Sequence, residues 1–511
     1  MSLPSRPNLE QLKKQAKDLQ KSFNSGEPTA RDKIKSLHPR SATVTAGKLR
    51  LGDAQLVIAR EHGFGSWARL KHHVAEQSET ATPWEALAEA VQAGQLAEAR
   101  RLLSEHAGLR RRLNEAVPNY AFGRTLLLSA VQGANREMIE LLLEAGADIN
   151  ARSHWWAGGF GVLDDDHGLA EFLIRRGARL DAHAAARLGR LRELKELLVA
   201  DPAAVHARGG DGQTPLHFAS TVAIADCLLE HGADIDAVDI DHESTPAQYM
   251  VRERQDVARH LVARGCRTDI LMAAALGDQE LARRHLDSNP ECVRLRVSEE
   301  HFPKRDPRAG GSIYIWTLGH NLTPHQVARR FGHEAVLRLL MERSPLELRF
   351  SQACILGELG VMRDILAAHP DLPQKLSEAE RSQLVHAAQD TNVMAVRLML
   401  SSGWPVDARD GRGRTALHWA AFHGNEELVR MILEYHPPLD CVDAEHHGTP
   451  LGWAIFGSEH GWFPGRGDYA GTVEALLAAG AQPPSEVDGS EAVRTILRRR
   501  LGKRINPIQE G

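Results

Sequence analysis

The chain has 511 residues, of which 42% are hydrophobic and 25% charged, with a formal net charge of -5. So small an imbalance creates no strong field for nucleic acid or an anionic membrane, so partners are not chosen by bulk charge. No segment approaches the ~20 apolar residues of a membrane span, and the start, Met1 to Pro7, lacks an apolar stretch of signal-peptide length, which argues against membrane insertion and export. The five cysteines, Cys227, Cys266, Cys292, Cys354 and Cys441, are odd in number and widely spaced. They suit small buried side chains in a reducing, cytoplasmic compartment better than a disulfide framework.

In chain order, Asn8 to Leu19 reads as a capped amphipathic helix and Leu51 to Glu61 as another, so residues 1–79 form a small N-terminal helical head. Lys13, Lys14, Lys17 and Lys21 read as a solvated helix face. From residue 84 a different pattern begins. Met138 to Leu143 carries an apolar helical stripe, which Gly146 closes as a left-handed C-terminal cap before Ala147 and Asp148. The phrase Thr214-Pro215-Leu216-His217-Phe218-Ala219-Ser220 returns as Thr415-Ala416-Leu417-His418-Trp419-Ala420-Ala421. Thr214 can cap a helix with its hydroxyl, Pro215 suits the first turn, and Leu216 with Ala219 makes one buried face. A self-similar unit of about thirty-three residues predicts stacked helix pairs, each burying its apolar face against its neighbours.

These phrases resemble the ankyrin repeat. The resemblance implies an all-α ankyrin-repeat solenoid over residues 84–482, of about twelve helix-pair units with hairpin turns. Good matches begin near Arg124, Asp211, Asp241, Asn321, Arg412 and His447. Degenerate ones begin near Trp84, Phe160, Ala182, Asp269, Glu347 and Glu380. Residues 483–511 read as a capping helix and tail, with Arg498 to Arg500 on its polar face. The string Ala54 to Trp67 looks like a leader found ahead of ankyrin arrays in bacterial proteins, which implies a bacterial source and a head that shields the first repeat. His217 and His418 read as structural histidines bonding the backbone of neighbouring turns.

Departures from the repeat locate the functional candidates. Aromatic residues are 5% of the chain, yet they crowd into three stretches the repeat does not need: 152–167, 297–321 and 458–469. Aromatic side chains in long connections suit recognition, with packing of the loop onto the stack as the plainer alternative. In the resembling family, partners meet the concave groove of hairpin tips and inner helices. Carried over by position, that groove contains Arg252, Glu253, Arg330, Phe331, Phe422, His423, Phe456 and Gly457, with Asp241, His242, Glu243, Arg412, His446 and His447 at hairpin positions. Trp155, Trp156, Phe160, Tyr314 and Trp316 complete the expected binding set.

The leading expectation is therefore a cytoplasmic module that holds a protein or peptide in its groove. The alternative is an enzyme or small-molecule binder of lyase, cyclase or hydrolase type, with an aromatic, acid-containing pocket made by the loops at Trp155 to Asp166 and His301 to Trp316. Asp165, Asp241 and His301 are its candidate acid/base residues. Neither reading requires a cofactor. His-Glu-x-x-His and Cys-x-x-Cys are absent, and the adjacent pairs His72–His73 and His446–His447 point apart, so no metal is expected. Gly158 to Gly161 and Arg208 to Gly212 lack the phosphate-cradling context and read as turns.

Overall fold

The structure, a computed structural model, describes residues 9–24, 27–38, 49–62, 64, 66–67, 69–71, 82–164, 168–462, 466–484 and 487–505. The chain divides into two compact units. One holds residues 1–155 and 159–179, the other residues 156–158 and 180–511. Among the described residues every regular element is helical.

In the first unit, helices Leu9–Asn24, Pro28–Leu37 and Leu51–Glu61 close on their own core of Leu12, Ala16, Phe23, Ile34, Val57, Ile58 and Leu70. The Leu49 backbone is pinned to the first helix, its N–H donating to Asn24 Oδ1 and its carbonyl accepting from Gln20 and Asn24. Helix pairs follow at Pro83–Gln92 with Leu96–Glu105 and at Leu126–Gln132 with Arg136–Glu144. The unit expected near Phe160 differs: only Ala170–Arg175 is helical there, because residues 152–164 and 168–169 are irregular.

In the second unit the expected starts at Ala182, Asp241, Asp269, Asn321, Glu347, Glu380, Arg412 and His447 are all followed by paired helices. Helix Ile270–Leu276 is apolar all round and buried along its whole length, as a helix with neighbours on every side must be. The two histidines of the repeated phrase work as expected. His217 Nδ1 accepts from Thr214 N (3.1 Å) and Nε2 faces Ser244 O (3.2 Å), while His418 repeats both bonds with Thr415 N and Gly448 O, each at 3.1 Å. Helix Glu491–Ile505 ends the unit by inserting Val493 and Leu497 into the core.

One unit is shortened. Only Thr221 separates the phrase Thr214 to Ser220 from the next helix, Val222–Glu230, so the expected first helix collapses to a 3-10 turn at Pro215–Phe218. That leaves carbonyls without helical donors, and the Arg254 guanidinium supplies them, donating to His217 O (2.9 Å) and Ala219 O (3.0 Å). Arg254→Met keeps the aliphatic stem and orphans both carbonyls. It should lower unfolding free energy by about 1–3 kcal/mol in urea titration, and an unchanged midpoint would show that water replaces the guanidinium without cost.

Candidate functional site

The first aromatic stretch closes on itself. Ser153 N donates to Phe160 O (2.8 Å), Phe160 N to Ser153 Oγ (2.9 Å), and Arg152 pairs with Asp164 (2.9 Å). Phe122 meets Trp155 and Phe160 edge-on, with ring centroids 5.0 and 5.6 Å apart, so these two rings pack within their own unit. Trp156 lies instead under the Arg308 guanidinium, 4.2 Å from the ring centroid. Asp165 falls outside the described residues.

The second stretch is clamped to the hairpin tip at 239–245. Gly310 N donates to both the carbonyl (2.9 Å) and the carboxylate (3.1 Å) of Asp241, and His242 Nδ1 bonds Gly311 O (2.9 Å). Glu243 accepts from Arg305 N and Asp306 N, and Ser244 Oγ accepts from Ile313 N (3.1 Å). Asp241 and His242, expected to face a partner or substrate, are thus occupied in holding the loop. Asp211, Asp241 and His242 place one potential ligand atom each within 4.8 Å of one another, a grouping the sequence did not reveal because Asp211 is thirty positions earlier. Tyr314 corrects the expected binding set most plainly. It is fully buried, and its hydroxyl donates to the Asp269 carboxylate at 3.0 Å, which itself caps Met272 N at 2.8 Å. The ring is large and apolar and its one polar atom finds a buried acceptor, so it belongs to the core.

Most other expected groove residues are exposed, with Phe331 half-buried. Trp316 is two-thirds exposed, and its carbonyl lies 3.5 Å from Arg252 Nη1. Glu253 is exposed, Arg330 Nη1 donates to Leu318 O (2.5 Å), and Phe331 stacks on His333. His301 is exposed beside Ser298 Oγ (3.1 Å), and Arg412 pairs with Glu445 (2.9 Å).

An aromatic cluster forms around the third stretch, with Trp419, Phe422 and His423 buried, Trp453 half-buried and Trp462 exposed. Trp419 lies with ring centroids 5.2 Å from Trp453, 5.4 Å from Trp462 and 5.8 Å from both Phe422 and His423. Arg414, held by Asp410 at 2.7 Å, sits over the Trp419 ring at 5.0 Å. Gly457 makes this geometry possible: a Cβ there would lie 2.4 Å from Phe422 O, so only glycine lets the two helices come this close. Trp453 Nε1 donates to Asp443 (3.0 Å); burial opposes ionisation of that carboxyl, but this bond and three backbone donors hold it down to about 2. Trp462 covers the group while remaining 56% exposed. Beneath it, Trp419 Nε1 and His423 Nδ1 are buried with no hydrogen-bond partner. Of the expected residues, Phe422 and His423 belong to this group, His446 flanks Trp453 at 6.4 Å, and Phe456 stands exposed against His460 at 4.7 Å. Trp419 and Trp453 escaped sequence reading because they occupy apolar positions of repeat helices. Trp462 lay in a stretch already marked by its aromatic content.

Family descriptions of ankyrin repeats match this chain in several places: a many-copy description over residues 384–433 and 417–461, a three-copy description over 182–272, and a single repeat over 122–154. Palmitoyltransferase Hip14 of Drosophila melanogaster is 36% identical over 100 residues, 20% of this chain and 14% of that protein. E3 ubiquitin-protein ligase XB3 of Oryza sativa is 30% identical over 101 residues, 20% of this chain and 22% of that protein. NF-kappa-B inhibitor zeta of Bos taurus is 24% identical over 201 residues, 37% of this chain and 27% of that protein. The matched region is therefore little more than a quarter of these relatives' lengths at most. The ankyrin repeat domain of human ASB11 is 20% identical, with all of its chain aligned to 60% of this one and a TM-score of 0.25. The chain carries ankyrin repeats, matched at residues 122–154, 182–272 and 384–461, in an all-helical ankyrin-repeat solenoid.

Proposed function

We propose that this chain is a cytoplasmic interaction module that holds a protein or peptide segment on the aromatic face around Trp419, Phe422, Trp453 and Trp462. The observation that carries this reading is Trp462, which presents more than half of its surface to solvent above two buried polar atoms, Trp419 Nε1 and His423 Nδ1, that lack partners. Exposed indole beside an apolar wall is the composition of an interface anchor, and ankyrin repeats commonly serve as protein-interaction modules. Five free and buried thiols fit a reducing compartment. Among the described residues no helix is long and apolar enough to cross a membrane. The likeness of Ala54 to Trp67 to a bacterial leader supports a bacterial source.

Trp462→Ala removes the exposed anchor that covers Trp419, Phe422 and His423. A protein captured by the wild-type chain from an extract of its source cells should bind the variant at least ~30-fold more weakly, the equivalent of a 2 kcal/mol hot spot, while circular dichroism shows the variant still folded. Equal capture by both forms, or no capture by either, would overturn the proposal.

A further inference from the structure

Two successive hairpin tips meet in the second unit. The Asp211 carbonyl accepts from Ile240 N (2.9 Å) and Asp241 N (3.1 Å), so the turn Gly210–Gly212 holds the tip at 239–245 against itself through the backbone. That contact brings three side chains together. His242 Nε2 lies 3.8 Å from Asp241 Oδ2 and 3.9 Å from Asp211 Oδ2, and one ligand atom of each residue falls within 4.8 Å of the others. The side chains are largely buried, with 6% of Asp241, 12% of Asp211 and 13% of His242 exposed.

Hydrogen bonds around the group fix which atoms face inward. Gly311 O can only accept, so the imidazole Nδ1 that bonds it at 2.9 Å carries a proton. In the neutral ring Nε2 then presents a lone pair to the two carboxylates, and at these separations no hydrogen bond joins it to either. A lone pair facing two anions is repelled until something positive stands between them. Asp241 adds an independent demand for charge. It is 4% exposed, its Oδ1 accepts from Gly310 N (3.1 Å), and among the described residues no Lys or Arg lies within ion-pair distance of it. A carboxylate so far out of water is ordinarily balanced by a cation.

We propose that Asp211, Asp241 and His242 form a binding site for one divalent first-row cation of the zinc type. Two atoms each ~2.1 Å from a single ion lie ~3.4 Å apart at the tetrahedral angle and at most ~4.2 Å apart in any geometry. The separations of 3.8 and 3.9 Å fall between those limits. Two carboxylates cancel the charge of the ion, the imidazole nitrogen favours zinc over magnesium or calcium, and the Nδ1–H bond to a backbone carbonyl is the outer contact that orients a metal-binding histidine. The Tyr249 ring, edge-on at 6.1 Å, supports the imidazole from the side. A Cβ at Gly310 would lie 3.1 Å from His242 Cε1 and 3.4 Å from Asp241 Oδ2, so the backbone of the long loop walls another side. Short metal motifs in sequence miss such a site, because its ligands come from turns thirty positions apart. It stands apart from Trp462 and does not rest on the interaction reading.

The test uses the full chain, freed of metal with a chelator, in calorimetric titration with zinc chloride. Zinc should bind the wild type at one site per chain, and Asp211→Asn and His242→Gln should each weaken that binding at least tenfold while circular dichroism shows them folded. Hydrogen exchange of the Gly310 amide serves if neither variant folds. Zinc should slow it in the wild type, because the ion fixes the Asp241 carboxylate to which that amide donates. Absence of zinc binding by the wild type would overturn the proposal. So would undiminished binding by a folded variant, or Gly310 exchange that zinc leaves unchanged, either of which marks zinc held elsewhere on the surface.

Discussion

Tyr314→Ala should lower the unfolding free energy of the second unit by about 4 kcal/mol, the range for truncating a fully buried aromatic side chain. The loss has two parts. A cavity opens in the core, and the Asp269 carboxylate, whose ionisation burial already disfavours, loses the hydroxyl that donates to it. Tyr314→Phe separates them, since it keeps the ring and removes only the hydroxyl, and should cost about 1–2 kcal/mol. Urea titration followed by circular dichroism measures both. Were Tyr314 a groove residue, as its position in an aromatic-rich loop suggested, alanine would leave the midpoint where it is and weaken partner binding instead.

Acid should destabilise the same unit steeply. Burial holds His217 down to about 3, His325 to about 4 and His386 to about 3, against about 6.5 in an unfolded chain. Between those values the unfolded chain binds the extra protons, so stability is complete above about pH 6.5 and falls as pH drops through the window below it. Each histidine contributes a slope of about 1.4 kcal/mol per pH unit, or about 2 kcal/mol by pH 5. Asp390 acts with the opposite sign, because its carboxyl is pushed up to about 6 and gains stability as it protonates, but its exposure to solvent reduces that effect. Asp239 and Asp269, also raised by burial, add in the same direction as Asp390. The histidines prevail, and a net loss of several kcal/mol is expected between pH 7 and pH 5. His217→Gln should flatten the profile by one histidine's share, and a midpoint constant over that range would show that these side chains are hydrated enough to protonate in place.

The architecture was legible because each repeat states its own rules locally. Thr214 and Thr415 start turns, His217 and His418 bond back to those threonines, and Gly146 ends a helix, all within a few residues of chain. The exceptions arose where a missing or added residue is repaired from far away. Nothing near Ser220 reveals that the preceding helix shrinks to a 3-10 turn, or that Arg254 will reach back to its carbonyls. The aromatic stretches marked real departures from the repeat, but not which rings face out. Trp462 and Tyr314 look alike in sequence, and the first lies on the surface while the second is sealed in the core. The buried Arg296 gave no local signal either, since its acceptors, Asn321 O and Gln383 Oε1, both come from well downstream.

The loop held by Asp241, His242, Glu243 and Ser244 changes how the stack should come apart. A solenoid whose layers touch only their neighbours melts like a zipper, fraying from whichever end is weaker. Here residues 305–313 are strapped back onto a hairpin tip more than sixty positions earlier, past the helix pair Ile270–Leu276 and Gln279–Ser288. Such a brace links layers that otherwise communicate only through an intermediate, so opening the layer between them also breaks the strap. The layers that the strap spans should therefore open together, as one cooperative block.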